Sequence, residues 1–172
     1  MSVRKLLLLA ALSLCATLPA QAALRVFACE PEWGALTREL GGNLVDVTVA
    51  TTAAQDPHQV QARPSLIARM RNADLVTCTG AELEIGWLPI LLQQSGNAKI
   101  QPGQPGFFAA ADQVRKLEVP TTLDRAAGDV HAAGNPHIQL DPRNIAAVAT
   151  ALAARLQQVD PAHAAEYAQR ST

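Results

Sequence analysis

The chain has 172 residues, of which 14 are Lys or Arg, 15 are Asp or Glu and four are His, so its formal net charge is −1. This near-neutral balance excludes the strongly basic surface that nucleic acid or an anionic membrane requires of a partner. The length is sufficient for one domain with a hydrophobic core.

The first 22 residues have the pattern of a secretory signal peptide. Arg4 and Lys5 form the positive start, residues 6–18 form the apolar run, and residues 20–22 (Ala-Gln-Ala) form a small-residue cleavage site. The apolar run is too short to span a bilayer. A leucine precedes Cys15, where lipoprotein processing needs a small residue. We therefore expect soluble export, with cleavage after residue 22 and no membrane insertion of the mature chain.

Two cysteines, Cys29 and Cys78, remain after cleavage, and neither belongs to a CxxC motif. Each stands at the end of an apolar run that reads as a strand. Neighbouring strands lie about 4.8 Å apart, which is within reach of a disulfide. An oxidising compartment would allow the two cysteines to pair. The sequence leaves two possibilities open, a disulfide and two buried free thiols.

Predicted strands and helices alternate along the chain. Apolar patterns and turn residues predict strands over 24–29, 43–51, 74–78 and 97–100, with a further one over 114–119. Helices are predicted over 31–40, 65–72, 85–94, 142–158 and from 160 onward. Phe107 and Phe108 follow a turn-rich stretch and are interpreted as local packing. The alternation predicts an α/β fold with a mostly parallel sheet and helices on both faces.

Two histidines stand directly behind prolines in separate loops, His58 after Asp56-Pro57 and His137 after Asn135-Pro136. Proline fixes its own φ and restricts the residue before it, so the backbone at each histidine is partly preset. In open α/β sheets ligands bind at the carboxyl ends of the strands, where the His58 loop begins. Neutral imidazoles suit zinc and similar transition metals. A single surface histidine would mean little, but the matched pair indicates a metal site.

Further polar residues lie near this predicted site. His131 is either a third ligand or a residue on the path by which metal arrives. Glu82 is a metal ligand or a group that supports one, while Glu84 is interpreted as a cap for the following helix. Asp141 is expected to cap its own helix, although it could also fix the tautomer of a ligating histidine. His163 is expected to be solvated.

Nucleophilic and phosphate-binding sites are not indicated. No serine has a GxSxG setting, the cysteines lie in apolar runs, and no glycine-rich phosphate loop occurs. A zinc hydrolase would still be possible if His58, His131 and His137 surrounded an open water position and Glu82 acted as the general base. This enzyme hypothesis lacks a recognisable substrate pocket.

Several short stretches in a fixed order cover nearly all of the chain after the signal. They are Gly41-Gly42-Asn43, Val47-Thr48-Val49, Asp56-Pro57-His58, Arg63-Pro64-Ser65, residues 72–76, Gly80-Ala81-Glu82-Leu83-Glu84, Asn135-Pro136-His137 and Leu140-Asp141-Pro142. Together they resemble the periplasmic substrate-binding proteins of zinc and manganese ABC importers. As a set, the motifs are far more specific than any one of them.

The resemblance implies a receptor with two α/β lobes joined by a long rigid helix, with the metal held in the cleft. It implies high-affinity binding of a divalent metal, zinc preferred and manganese possible, delivery to an ABC permease and no enzymatic activity. His58 and His137 match the first-lobe ligands, and the other ligands, a His or Glu and an Asp, come from the second lobe in such proteins. The expected divisions are a signal peptide (1–22), a metal-binding lobe (23–158) and the start of the interlobe helix (159–172), without a second lobe.

Two departures from the family accompany the resemblance. Gln139 stands where the family often has an aromatic residue, and the acidic, His-rich loop of some zinc members is absent. The preference for zinc over manganese thus rests on the number of histidines. A third hypothesis is a truncated, inactive lobe whose histidines are relics. It predicts exposed apolar surface along Ile145–Leu156 and on the terminal helix.

Overall fold

The computed structural model describes residues 22–123, 126, 128 and 130–171, so the predicted signal segment lies outside the described residues except for Ala22. Within these residues one sheet contains β1 (Leu24–Ala28), β2 (Val45–Val49), β3 (Leu75–Cys78) and β4 (Phe107–Ala109). The α-helices of the same part of the chain are α1 (Pro31–Gly41), α2 (Pro64–Arg71), α3 (Leu88–Ser95), α4 (Pro142–Val159) and α5 (Ala164–Arg170).

The sheet is parallel throughout and has the strand order β2-β1-β3-β4. Each crossover between parallel strands passes over a face of the sheet, so both faces are covered. The strands alternate their side chains between the faces, as Val26 and Phe27 on β1 show by belonging to different cores. The predicted α/β fold with a parallel sheet is confirmed.

Two hydrophobic cores lie on opposite faces of the sheet. One joins β1, β3 and β4 to helices α1, α4 and α5, and its buried members include Leu75, Phe108, Trp33, Leu152 and Tyr167. The other joins the sheet to helices α2 and α3, and its buried members include Phe27, Val76, Met70, Trp87 and Leu91. The polar loops at the carboxyl ends of the strands are therefore held between two packed layers.

The closing helices are packed rather than exposed. Val148, Leu152 and Leu156 of α4 are buried, and Tyr167 of α5 is completely buried. The Tyr167 hydroxyl donates to Asp160 at 2.8 Å. The extensive exposed apolar surface expected of a truncated, inactive lobe is therefore not found along α4 or α5.

His163 is not solvated as expected. Its Nδ1 donates to Asp160 at 2.8 Å, and its side chain is 23% exposed. The same Asp160 oxygen accepts from Tyr167. One buried carboxylate therefore bonds both to the residue before α5 and to the middle of that helix.

Two of the predicted strands are wrong. Residues 98–100 form a 3-10 turn because the Asn97 side chain accepts from the Lys99 amide at 3.1 Å and so favours a turn. No residue of 114–119, all of which are described, lies in a strand, and Glu118 there has a φ of 53°. The fourth strand is instead Phe107–Ala109, which pairs with β3.

The helix ends follow the sequence signals in most cases. Helix α1 begins with Pro31 and is followed by Gly42, whose φ is 55°. Helix α3 begins three residues later than expected because residues 81–87 form turns, with Ala81 at a φ of 50°. None of the helices in the described residues is long and apolar enough to cross a membrane.

Candidate metal centre

His58 is fixed by the turn in which it stands. Residues 57–59 form a 3-10 turn, and the Asp56 side chain caps it by accepting from the His58 amide at 2.9 Å. The fully buried Trp87 donates its indole N–H to the Pro57 carbonyl at 2.8 Å. Gly86 lets the two segments approach, since a Cβ there would lie 3.2 Å from the His58 carbonyl oxygen. The loop after β2 is therefore anchored in the core.

Asp56 also sets the tautomer of His58. Its carboxylate accepts from Nδ1 of His58 at 2.7 Å, and a carboxylate can only accept, so Nδ1 carries the proton. This leaves the lone pair of a neutral ring on Nε2. The pKa of Asp56 is lowered because the amide and the ring of His58 both donate to it. The carboxylate supporting a histidine is thus Asp56.

His131 lies against the free edge of His58. The two Nε2 atoms are 3.2 Å apart, and the rings are stacked with centroids 5.2 Å apart at an angle of 29°. Two imidazole nitrogens at about 2.0–2.1 Å from one tetrahedral zinc ion would be roughly 3.3 Å apart. The observed spacing therefore suits two ligands of one ion, and it brings together residues 73 positions apart.

His137 completes a group of three imidazoles that we call the histidine rim (His58, His131 and His137). Its ring centroid is 6.2 Å from that of His58, at an angle of 66°. Its amide donates to the Asn135 side chain at 2.9 Å, and Asn135 donates to Glu118 at 2.8 Å. His137 is more exposed than His58, so its ring lies on the solvent side of the rim.

The three histidines line a cavity of about 240 Å³. Other lining residues come from the segment before His137 and include Glu118, Val130, Gly134, Asn135 and Pro136. Gly134 has a φ of 98°, and a Cβ there would meet the Leu117 carbonyl oxygen at 2.8 Å. Only glycine therefore allows this segment to fold back so that both histidines reach the cavity.

Glu82 contacts the backbone beside a histidine rather than a histidine ring. Its carboxylate accepts from the Ala132 amide at 2.7 Å, one residue after His131. Glu82 has a φ of 70°, which is uncommon for a residue with a side chain. The position fits a group that supports a ligand, which is one of the two predicted roles.

Two acidic residues were expected to cap helices, and only one of them does so. Asp141 caps α4 as predicted, accepting from the Arg143 amide at 2.9 Å, and it pairs with the Arg143 guanidinium at 2.7 Å. Glu84 is not a helix cap, because its carboxylate accepts from the amides of Thr79 and Gly80, at 2.7 and 3.0 Å.

The roles of several residues that shape the rim were not predicted from the sequence. Trp87 and Asn135 anchor the two proline-histidine turns, and Asp56 was noted only as part of a motif. The Asp56 role could have been found, since an acidic residue two positions before a histidine can both cap a turn and reach the ring. The role of Trp87 depends on a contact across 30 residues, for which the local pattern contains no signal.

The sequence matches a known family over most of its length. A family model described as zinc-uptake complex component A, periplasmic, matches residues 26–172. The chain belongs to this family. The predicted resemblance to metal-receptor proteins is thereby confirmed.

Two curated relatives have names that refer to metal transport. The metal ABC transporter substrate-binding lipoprotein SloC of Streptococcus mutans serotype c is 25% identical over 135 residues, which cover 77% of this chain and 41% of SloC. The iron ABC transporter substrate-binding lipoprotein MtsA of Streptococcus pyogenes serotype M1 is 24% identical over 100 residues, or 56% of this chain and 31% of MtsA. The chain therefore spans less than half the length of these two relatives.

Solved structures share the fold. The Mn-bound periplasmic metal binding protein of Candidatus Liberibacter asiaticus superimposes with a TM-score of 0.68 at 22% identity, covering 86% of this chain and 50% of that one. A zinc-bound ZnuA deletion mutant superimposes with a TM-score of 0.69 at 24% identity, covering 87% and 52%. At this level of identity the likeness establishes the fold alone.

Proposed function

We propose that the chain is the amino-terminal lobe of a periplasmic receptor that captures a divalent transition metal and delivers it to the membrane permease of an ABC importer. The observation that carries this proposal is the 3.2 Å separation of the Nε2 atoms of His58 and His131, with Asp56 holding the His58 tautomer that exposes a lone pair. Family membership and the names of the curated relatives support the transport role.

Zinc is the preferred metal in this proposal, with manganese as the alternative. Three imidazoles at the rim are neutral nitrogen donors, which suit zinc, whereas manganese favours oxygen donors. Three acidic residues beside the rim, among the described residues, are already engaged: Asp56 with the His58 ring, Glu82 with the Ala132 amide and Glu118 with the Asn135 side chain. The ligand set of the lobe is His58, His131 and His137, and any ligands from a second lobe would add to it.

A zinc hydrolase is the less favoured alternative. It would need Glu82 as a general base beside a metal-bound water, and the Glu82 carboxylate is instead hydrogen bonded to a backbone amide. A receptor needs no such base. The proposed divisions remain a signal peptide over 1–22, a lobe over 23–158 and the start of an interlobe helix over 159–172.

Zinc titration of the mature chain, followed by calorimetry, tests the proposal. We expect one zinc ion per chain and a loss of affinity of at least about 100-fold in His58→Ala, since removing a ligand exceeds the 10–100-fold cost of removing a ligand's supporting partner. His131→Ala should weaken binding comparably, while His137→Ala should have a smaller effect because its ring is more exposed.

His163→Gln is the matched control, because it removes an imidazole that lies outside the rim and bonds to Asp160. It should leave zinc affinity unchanged. Unchanged affinity in both His58→Ala and His131→Ala would contradict the proposal. Manganese titrated in competition with zinc measures which ion the lobe prefers.

A further inference from the structure

Two cysteines lie at the same edge of the sheet as the histidine rim, but in the interior. Cys29 follows β1 and Cys78 ends β3, and both are completely buried. They form a disulfide, with their Cα atoms 4.8 Å apart. The structure therefore shows the pairing that the sequence left open.

Two carboxyl groups lie beside this disulfide. Glu84 is 2% exposed and Glu30 is 3% exposed. Both accept from the Thr79 amide, at 2.7 Å for Glu84 and 3.2 Å for Glu30. Oε1 of Glu30 accepts from no donor among the described residues, and the Glu30 and Glu84 carboxyls lie against each other, an arrangement that needs a proton or a cation between them.

We call Cys29, Cys78, Glu30 and Glu84 the cysteine–glutamate cluster. One ligand atom from each of Cys29, Cys78 and Glu84 lies within 4.8 Å of the other two. In a tetrahedral zinc site, with Zn–S of about 2.3 Å and Zn–O of about 2.1 Å, ligand atoms are roughly 3.5–3.8 Å apart. Once the sulfur–sulfur bond is absent, side-chain rotation would suffice to bring the three atoms into that arrangement.

We propose that the dithiol form of the chain binds a soft divalent metal ion, of the zinc, cobalt or cadmium class, through Cys29, Cys78 and Glu84, with Glu30 as the fourth ligand. The site is separate from the histidine rim and does not depend on it. In the disulfide form the sulfurs are bonded to each other and the site is closed. Disulfide formation and metal binding therefore exclude one another.

A divalent ion offsets part of the negative charge that the four ligands place in this dry location. Two thiolates and two carboxylates carry four negative charges, of which the ion neutralises two, and the amides of Thr79 and Gly80 donate to the carboxylates. Without an ion, bare thiolates in a buried site would be strongly disfavoured. Thiolates and imidazoles select zinc-like ions over magnesium or calcium. The ion would also take the place of the proton that the Glu30 and Glu84 carboxyls share.

Reduction of the disulfide frees two thiols, and metal binding then displaces protons from the ligands. A phosphine reductant takes up the oxygen of water and breaks the Cys29–Cys78 bond, giving two thiols and a phosphine oxide. Each thiol, and the protonated Glu30 carboxyl, then loses its proton to solvent as it bonds to the metal, so three protons are released for each ion bound. A newly synthesised chain already holds both cysteines as thiols and needs no reductant.

Cobalt is the probe that separates this site from the histidine rim, because only thiolate ligands give an intense sulfur-to-cobalt charge-transfer absorption. The experiment uses a His58→Ala/His131→Ala chain, reduced with phosphine and kept free of oxygen. We expect the charge-transfer absorption to saturate at one cobalt per chain and to be absent from the disulfide form. Absence of the absorption from the reduced chain would overturn the proposal, and the result would leave the histidine rim untouched.

Variants distinguish a folded site from chelation by loose thiols. Cys29→Ser/Cys78→Ser, which removes both sulfur ligands, should abolish the absorption, and Glu84→Gln should weaken cobalt binding by about tenfold or more, whereas the exposed Glu39→Gln should have no effect. Circular dichroism checks that the reduced chain keeps its fold. Equal cobalt affinity in Glu84→Gln and the parent would overturn the proposal, as would loss of the fold on reduction without recovery in cobalt.

Discussion

The histidine rim and the cysteine–glutamate cluster lie at the same edge of the sheet, but their polar groups are satisfied in opposite ways. In the rim, local turns orient half-exposed rings, as Asp56 does for His58. In the cluster, buried carboxyls depend on backbone amides such as that of Thr79. The groups of the rim can exchange ligands with solvent, whereas those of the cluster mainly affect stability while the disulfide is closed.

Trp87 connects the rim to the core and gives the largest expected effect. Trp87→Ala should lower the free energy of unfolding by about 3–5 kcal/mol, because it removes a completely buried ring. It should also weaken zinc binding, since the Pro57 carbonyl loses its donor and the His58 turn loses its anchor. Urea denaturation and zinc titration measure the two effects.

Trp87→Phe separates the two roles of Trp87. Phenylalanine keeps most of the apolar contact but has no N–H, so the part of the loss due to the hydrogen bond to Pro57 should be about 1 kcal/mol. Zinc binding should still be weaker than in the parent. Full zinc affinity in both variants would show that the rim does not depend on its link to the core.

Asp56→Asn acts on the rim alone. Asparagine can still cap the turn, but it no longer holds the His58 ring with a charged acceptor, so zinc affinity should fall about 10–100-fold. Stability should change little, because Asp56 is exposed. Asp46→Asn removes an exposed carboxylate from β2 and is the control. Equal zinc affinity in all three chains would contradict the proposed tautomer role.

Glu30 tests the cluster through pH. Burial, and then the neighbouring charge of Glu84, raise the pKa of Glu30 to about 10 from its ordinary 4.5. Protonated Glu30 therefore stabilises the fold fully below about 4.5, and this contribution is lost as the pH rises toward 10. One such proton changes the free energy of unfolding by at most about 1.4 kcal/mol per pH unit.

Urea denaturation of the metal-free, disulfide-bonded chain should show stability falling from about pH 5 to about pH 9. Glu30→Gln stays neutral and should flatten this slope, while the exposed Glu39→Gln should retain it. The same slope in Glu30→Gln and the parent would show that Glu30 does not hold its proton in the folded state.

Local patterns were sufficient for most of the fold. The valine-rich β2, the proline at the start of α1 and the Asp141 cap of α4 are signals contained in a few residues. The short strand β4 was missed because three residues after a turn-rich stretch give no alternation to detect. Its place in the sheet is decided by pairing with β3, which no local pattern encodes.

The candidate site shows the same difference between local sequence signals and contacts that are distant in sequence. His58 and His137 were predicted as ligands because proline marks both turns, and His131 was a candidate on a glycine-containing loop. Its contact with His58 depends on two loops meeting in space. The pairing of Glu30 with Glu84 could not be foreseen for the same reason, since the two join only where β1 and β3 end side by side.

The chain has two tryptophans, and the indole N–H of each bonds to one of the two regions. The indole N–H of Trp87 bonds to the turn that carries His58, while that of Trp33 donates to the Thr79 hydroxyl at 2.7 Å, and Thr79 in turn contacts Glu30. The protein thus contains two intrinsic fluorophores, one in contact with each region. In single-tryptophan variants, the fluorescence of Trp87 should report metal binding at the rim. The fluorescence of Trp33 should report whether the disulfide is closed.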